Sequence, residues 1–219
     1  DVCVASGIEQ QFSLIDEILK RFGKAGLKLS LSKCKFISNS ICFLGYRLDG
    51  TTLNVHDRHV KAFKEMAPPS SPGLLKSFIG KIMFYKNLIK DCSIKCHPFY
   101  QKLKKGVKFS WTEADTARFN ALRDDLINAP GVGLPLPDSR KILVCDGSLS
   151  GIGCTLLQCF KTVSPSGRIE TATNVIGWRS RVLSKAESRF TIGSIELISI
   201  AFGIRCFRLY LYMTEFDVL

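Results

Sequence analysis

Two spacings of apolar residues alternate along this chain, and their order divides it. Ile8, Phe12, Ile15, Leu19 and Phe22 recur at three- and four-residue intervals, one face of a helix, and the run stops at Gly23 to Gly26. Ahead of it, Asp1 to Ser6 is short, apolar and bounded by Gly7, which predicts a buried strand. Behind it, Leu27 to Leu31 alternates with a period of two. Cys34 to Phe36 and Ile41 to Leu48 are further strand candidates, separated by Ser38-Asn39-Ser40 and closed by the turn dipeptide Asp49-Gly50.

Helical spacing then returns. Asp57 is a candidate N-cap for a helix through Met66, and the proline cluster from Pro68 to Pro72 ends it and marks a hinge or subdomain edge. Leu74, Leu75, Phe78, Ile82, Tyr85 and the pair Leu88-Ile89 outline a second helix. Ile94 to Leu103, with Pro98 inside it, outlines a third. Thr112 caps a fourth, with Phe119, Leu122, Leu126 and Ile127 as its buried stripe, and Pro130 to Pro137 reads as a linker. After it come strands at Lys141 to Cys145, Gly153 to Cys159 and Asn174 to Arg179. Ser184 to Tyr210 is mostly helical, with Ile195, Ile198, Phe202 and Cys206 on one face, and Met213 to Leu219 starts another strand.

Composition narrows the class. With 46% hydrophobic residues over 219 positions, the chain has ample material for cores in one large domain or two modest ones, which excludes disorder as its main description. No stretch approaches the roughly 18 uninterrupted apolar residues of a membrane span, and the start has no basic region or signal-peptide core. A soluble, intracellular, non-secreted chain is the expectation, and the absence of an initial Met suggests a fragment. The nine cysteines are scattered, several inside apolar runs, as reduced buried thiols would be. Cys92, Cys96 and His97 lie close together but have no second Cys/His pair at zinc-site spacing, so they read as helix-face groups.

The formal charge of +12 is concentrated in two stretches. Lys20 to Lys35 holds six basic residues and no acid, and Leu74 to Lys108 holds nine lysines against the single acid Asp91. Such stretches are either a solvated face or a track for an anionic partner, of which a nucleic-acid backbone is the commonest. Lys90, Lys104 and Lys105 are interleaved with Phe84, Tyr85, Phe99 and Tyr100, a pattern open to base stacking or to core packing.

Two carboxylates carry candidate chemistry. Asp146 ends an apolar run and is followed by Gly147 and Ser148 and then by Gly151-Ile152-Gly153, so it is a reasonable cation ligand at a strand end. Gly151-x-Gly153 precedes a strand-like run and lacks a third glycine, which excludes a dinucleotide fingerprint. Glu196 interrupts the apolar sequence from Ile192 to Phe202. It is either paired, protonated or metal-bound, or it reaches solvent past Ser199.

Taken in order, Phe43-Leu44-Gly45-Tyr46, Lys76-Ser77-Phe78-Ile79-Gly80, Phe109-Ser110-Trp111-Thr112, Asp146-Gly147-Ser148 with Gly151-Ile152-Gly153, and Leu183-Ser184 to Glu196 resemble the pol polyprotein of LTR retrotransposons. The likeness is to the gypsy-like and BEL-like groups. It implies an α/β (α+β) chain in three parts: the end of a reverse-transcriptase palm with its primer-grip hairpin over 1–56, thumb and connecting helices over 57–138, and an incomplete ribonuclease H-like mixed sheet with helices over 139–219. It implies Asp1 as the second aspartate of the polymerase pair, and Phe43, Leu44, Gly45 and Tyr46 as the primer grip. Lys76, Lys86, Lys90, Lys104 and Lys105 follow as thumb-side contacts to nucleic acid, and Asp146 and Glu196 as the first two ribonuclease H carboxylates.

Mg²⁺, or Mn²⁺ in its place, is the implied cofactor at Asp146, Glu196 and Asp1. An RNA template, a DNA primer, an RNA:DNA hybrid and the rest of the polyprotein are the implied partners, in a cytoplasmic particle and without a membrane. Two-metal phosphodiester hydrolysis requires several oxygen ligands, of which a strand-end Asp and a helix Glu supply two. The family pattern sets a third aspartate beyond Leu219, and Asp217 is read as an exposed strand-end charge. Gly147 and Gly193 depart from the commoner residues. The fragment alone is therefore expected to be inactive in both reactions, and a non-enzymatic nucleic-acid-binding relic is the alternative.

Overall fold

A computed structural model describes every residue except Asp1 and Ala5. The described residues form a mixed α/β structure of seven α-helices and two four-stranded sheets. Helix α1 (Ile8–Lys24) forms where its apolar spacing predicts, yet none of its residues is buried, and Ile8 and Phe12 are 63% and 62% exposed. Ion pairs one turn apart, Lys20 to Asp16 and Arg21 to Glu17, line its polar face.

The strands expected on either side of α1 do not form. Residues 2–4 have no regular structure, and Asp1 and Ala5 of that segment lie outside the described residues. Leu27 to Leu31 and Cys34 to Phe36 also stay unpaired, around a single 3₁₀ turn at Leu31–Lys33. A strand needs a neighbour for its backbone groups and a cover for its apolar face, and Leu27, Leu31 and Phe36 remain exposed.

The first sheet has the order β1 (Ser40–Phe43), β2 (Tyr46–Asp49), β3 (Thr52–Val55), β4 (Val132–Gly133). The Ile41 to Leu48 run is split by a hairpin: Phe43 pairs with Tyr46, leaving Leu44 and Gly45 as a two-residue turn with φ of +48° and +84°. Positive φ at both central residues matches the right-handed twist of the flanking strands. Strand β4 lies inside the expected linker, and its pairs Thr52–Gly133 and Leu53–Val132 stitch that segment to the hairpin.

Four helices build the first core. In α2 (Asp57–Lys64), His56 is the cap, its Nδ1 accepting from the Arg58 amide at 3.0 Å, and Asp57 is the first helical residue. The proline cluster ends α2 but also starts α3 (Pro72–Phe84), where Ser71 Oγ accepts from the Leu74 amide and Pro72 sits where its missing N–H costs nothing. A 3₁₀ turn at Lys86–Leu88 leads into α4 (Cys92–Lys102), which contains Pro98. Helix α5 (Glu113–Ile127) opens with a reciprocal cap between Thr112 and Asp115. Phe78 packs against Phe99 and Phe119 at centroid separations of 6.1 and 4.6 Å. Asp115 is buried: burial pushes its carboxyl up, but hydrogen bonds from Lys102 and Thr112 outweigh this and hold it below the usual range.

The second sheet has the order β7 (Ile169–Arg181), β6 (Gly151–Val163), β5 (Arg140–Ser148), β8 (Phe216–Val218), antiparallel except for the parallel pair β5–β8. One face carries α6 (Ile192–Cys206), followed by α7 (Arg208–Leu211). The helix lies close because Gly203 has no side chain; a Cβ there would stand 3.1 Å from Cys145 Sγ and 3.2 Å from Cys154 Cβ. Leu143, Leu156 and Phe207 fill the core beneath it. The other face meets the helical region through Val175 and Trp178, and the Ser93 amide donates to Ser180 Oγ at 3.1 Å.

The two sheets are joined by buried polar groups. Gln158 Nε2 donates to the Leu134 carbonyl at 2.8 Å, and its Oε1 accepts from the Leu136 amide at 2.9 Å and from Ser139 Oγ at 3.1 Å. Lys141 Nζ donates to the Leu136 carbonyl at 2.7 Å, and burial lowers its pKa. The segment after β4 is therefore a bonded joint, held by the partnered side chains of Gln158 and Lys141.

Candidate functional site

Asp146 is exposed near the end of β5, and Glu196 is exposed in the second turn of α6. Gly147 brings their backbones together. A Cβ at Gly147 would stand 3.1 Å from the Ile195 carbonyl and 3.2 Å from the Glu196 amide, so the strand residue after Asp146 touches the helix backbone at Glu196. The helix end is set locally, by Thr191 Oγ1 accepting from the Ser194 amide. Glycine at 147 leaves room for this close approach of the two elements.

Successive side chains of a strand point to opposite faces, so Asp146 lies on the face away from Gly147. Its cross-strand partner is Gly153, whose partner in turn is Ser180. Directly over Gly153 stands Asp91: its Oδ1 is 2.8 Å from where a Gly153 Cβ would be. Asp91 has φ of +55° and makes no side-chain cap for α4. The fold therefore brings a carboxylate from the helical region to the Asp146 row. Its sequence signal is slight, as the one acid among nine lysines.

The donor set suits a hard cation in small number. Mg²⁺ is commonly held by one or two carboxylates together with waters and substrate phosphates, and Asp146 and Glu196 supply oxygen donors of that type. No group of three or more His, Cys, Asp or Glu among the described residues is arranged to hold a metal ion. Asp1 lies outside the described residues. Asp217 sits on β8 and is bonded to Arg140 at 2.6 and 2.9 Å, which lowers its carboxyl pKa and occupies it as a strand-edge ion pair.

The hairpin residues form a second constellation. Leu44 projects from the turn, 60% exposed, while the turn itself is clasped from α3. Tyr85 Oη donates to the Gly45 carbonyl at 2.9 Å, the His56 amide donates to that same oxygen at 3.3 Å, and Tyr46 Oη donates to the Phe84 carbonyl at 2.9 Å. Tyr46 stacks on Phe84 with centroids 5.3 Å apart and meets Tyr85 edge-on at 5.2 Å. Burial pushes the Tyr85 phenol up to about 12. Phe43 is half-buried at the end of β1.

Lys76, Lys86, Lys90, Lys104 and Lys105 are all exposed, and none forms an ion pair among the described residues. Two other lysines of the same stretch are committed internally, Lys95 to Asp125 at 2.6 Å and Lys102 to Asp115 at 2.7 Å. Lys86 and Lys90 open onto different depressions, so the five do not converge on one pocket. Of the interleaved aromatics, Tyr85 and Phe99 are core residues, and Phe84 and Tyr100 are exposed. Cys92 and Cys96 are buried free thiols. No helix among the described residues is long and apolar enough to cross a membrane.

Residues 111–218 match the family described as the RNase H-like domain found in reverse transcriptase. Over 201 residues, 91% of the chain, the sequence is 23% identical to the Transposon Tf2-3 and Tf2-4 polyproteins of Schizosaccharomyces pombe (strain 972 / ATCC 24843), of which it spans 14%. The fold is similar to the foamy viral protease-reverse transcriptase in complex with RNA/DNA hybrid, with a TM-score of 0.81 and 16% identity over 98% of this chain and 28% of that one. It is also similar to the foamy viral protease-reverse transcriptase dRH in complex with ds DNA, with a TM-score of 0.80 and 16% identity over 98% and 36% of the two chains. At such identities these likenesses bear on the fold alone.

Proposed function

We propose that the chain, whose residues 111–218 match the RNase H-like domain found in reverse transcriptase and whose sequence is similar to retrotransposon polyproteins, is the part of an LTR-retrotransposon pol polyprotein that holds an RNA:DNA hybrid for cleavage of its RNA strand. The parent would also copy RNA into DNA. The observation that supports this reading is the contact at Gly147, where the strand residue next to Asp146 meets the helix backbone at Glu196.

In this reading Asp146 and Glu196 would hold Mg²⁺, with Mn²⁺ able to substitute. When bound, the ion supplies activation of water and charge stabilisation at the scissile phosphate. Glu196 is held at the site by the capped start of α6, and Asp146 by its pairing within the sheet. The clasped hairpin with Leu44 and Tyr46 would seat the primer end, Asp1 would belong to the polymerase pair, and the free lysines from Lys76 to Lys105 would meet backbone phosphates. The template, the primer, the hybrid and the rest of the polyprotein are the partners in this reading, and an intracellular particle is its location.

With Asp146 and Glu196 flanking the Gly147 contact and no three-ligand group among the described residues, the 219-residue chain by itself is expected to bind without cleaving. A polyprotein containing it is expected to cut the RNA strand of a hybrid in Mg²⁺, and Asp146→Asn to lower the rate by at least about 100-fold while leaving hybrid binding within about twofold. Equal cleavage by the Asp146→Asn form would remove Asp146 from the reaction. Binding without any cleavage by the polyprotein would favour the relic.

A further inference from the structure

A cavity of about 170 Å³ opens where the start of α4, the edge strand β7 and the second half of α6 come together. Its walls include Lys86, Ser93, Trp178, Arg179, Ser180 and Cys206, and no carboxylate lines it. With two cations and two hydroxyls set beside the apolar Cys92, Trp178 and Phe202, and no carboxylate in its walls, the space has the charge of an anion site.

Arg179 is held in place rather than neutralised. Its Nη1 donates to the Trp178 carbonyl at 2.8 Å and its guanidinium lies over the Phe207 ring at 5.0 Å, while no carboxylate pairs with it among the described residues. A guanidinium has five N–H donors, so most of them remain for a ligand, and its orientation is already fixed. Lys86 faces the same space from the 3₁₀ turn. Both charges reach the interior: burial pushes the Cys206 thiol up, and Arg179 and Lys86 oppose that push. Ser180 Oγ accepts from the Ser93 amide at 3.1 Å, which leaves its O–H to donate. The start of α4 reaches the cavity through Ser93, and the Asp91 carboxylate that precedes the helix is turned to Gly153.

We propose that this cavity binds one phosphate group, with Arg179 and Lys86 as its two charged contacts. In a nucleic-acid complex that group is a backbone phosphodiester; a free or terminal phosphate shares the chemistry. Arg179 opposes the upward shift that burial imposes on the Tyr46 phenol, so its charge is felt at the hairpin that is assigned to the primer. The identity of the phosphate's source rests on the proposed function, and the existence of the site does not.

Trp178 lines the cavity and is one of two tryptophans, so its emission reports occupancy directly in a Trp111→Phe background. The 219-residue chain is titrated separately with inorganic phosphate and with an RNA:DNA hybrid, and hybrid binding is also followed by gel shift across salt. The expected result is a saturable change in Trp178 emission with hybrid. Arg179→Gln and Lys86→Gln should each remove that change, weaken the hybrid about tenfold and lower the log–log salt slope by about one. A change with inorganic phosphate but no hybrid binding would support the site and sink the nucleic-acid reading. Hybrid binding with unaltered emission and an unaltered slope in both variants would overturn the site and leave that reading standing, and no response to either ligand would overturn the site. Lys86 is exposed and makes no ion pair, so its variant keeps the test valid if Arg179→Gln does not fold.

Discussion

The two sheets have the same number of strands and very different means of support. In the first, β1 to β4 are two to four residues long and only Val55, Val132 and Gly133 are fully buried, so the sheet depends on what clasps it: Tyr85 and His56 on the Gly45 carbonyl, and β4 arriving from 80 residues downstream. In the second, β5 to β7 run for nine to thirteen residues, with a helix on one face and the α4 region against the other. The long sheet can carry chemistry at its strand ends because its middle is packed. The short one presents a loop, whose shape is set by hydrogen bonds from outside.

If that contrast is right, core truncations should separate the sheets most. Leu156→Ala, at a fully buried position of β6, is expected to cost about 2–5 kcal/mol, against about 1 kcal/mol for Leu48→Ala in half-buried β2. Chemical denaturation of both variants checks this, and equal losses would erase the distinction. Next in size is the joint. Gln158→Leu leaves the Leu136 amide and the Leu134 carbonyl without their partner, for about 1–3 kcal/mol, and should open residues 130–137 to proteolysis while both cores stay folded.

A smaller effect falls on the clasp. Tyr85→Phe removes one hydrogen bond to Gly45, about 1 kcal/mol, and should speed amide exchange at His56 without altering exchange in β5. The smallest is electrostatic. Arg181 and the Ser184 backbone and hydroxyl hold Glu187 down to about 2 from an ordinary 4.5. Because the folded pKa is depressed, the unfolded chain takes up the proton first as pH falls. That contribution is therefore present above pH 4.5 and is lost towards pH 2. Thermal melts should show a shallower acid dependence in Glu187→Gln over that window.

Much of the fold was legible where apolar periodicity and caps agreed. Thr112 with Asp115, and Phe119, Leu122 and Leu126 one or two turns on, define α5 from local chemistry alone. The same signal misled at Leu27 to Leu31, because alternation states which faces differ and says nothing about whether a partner strand is there. Pro68 to Pro72 was readable as an end but equally begins α3, since proline suits a first helical turn. Of the site, Asp146 and Glu196 stood out as carboxylates set in apolar surroundings. Asp91 and Arg179 did not, because each matters only through what lies opposite it in space: Gly153 for the one, and Lys86 with Phe207 for the other.

The sequence by itself determined the alternation of helix and strand, the uneven spread of charge, the carboxylates and the family resemblance, because each depends on residue type at short range. Tertiary structure alone decided that residues 132–136 are a bonded joint, that Gly147 and Gly203 let α6 lie close on its strands, and that a carboxylate of the helical region stands over the cross-strand partner of Asp146. Those outcomes depend on contacts between residues far apart in the chain, where the absence of one side chain decides how closely two backbones approach.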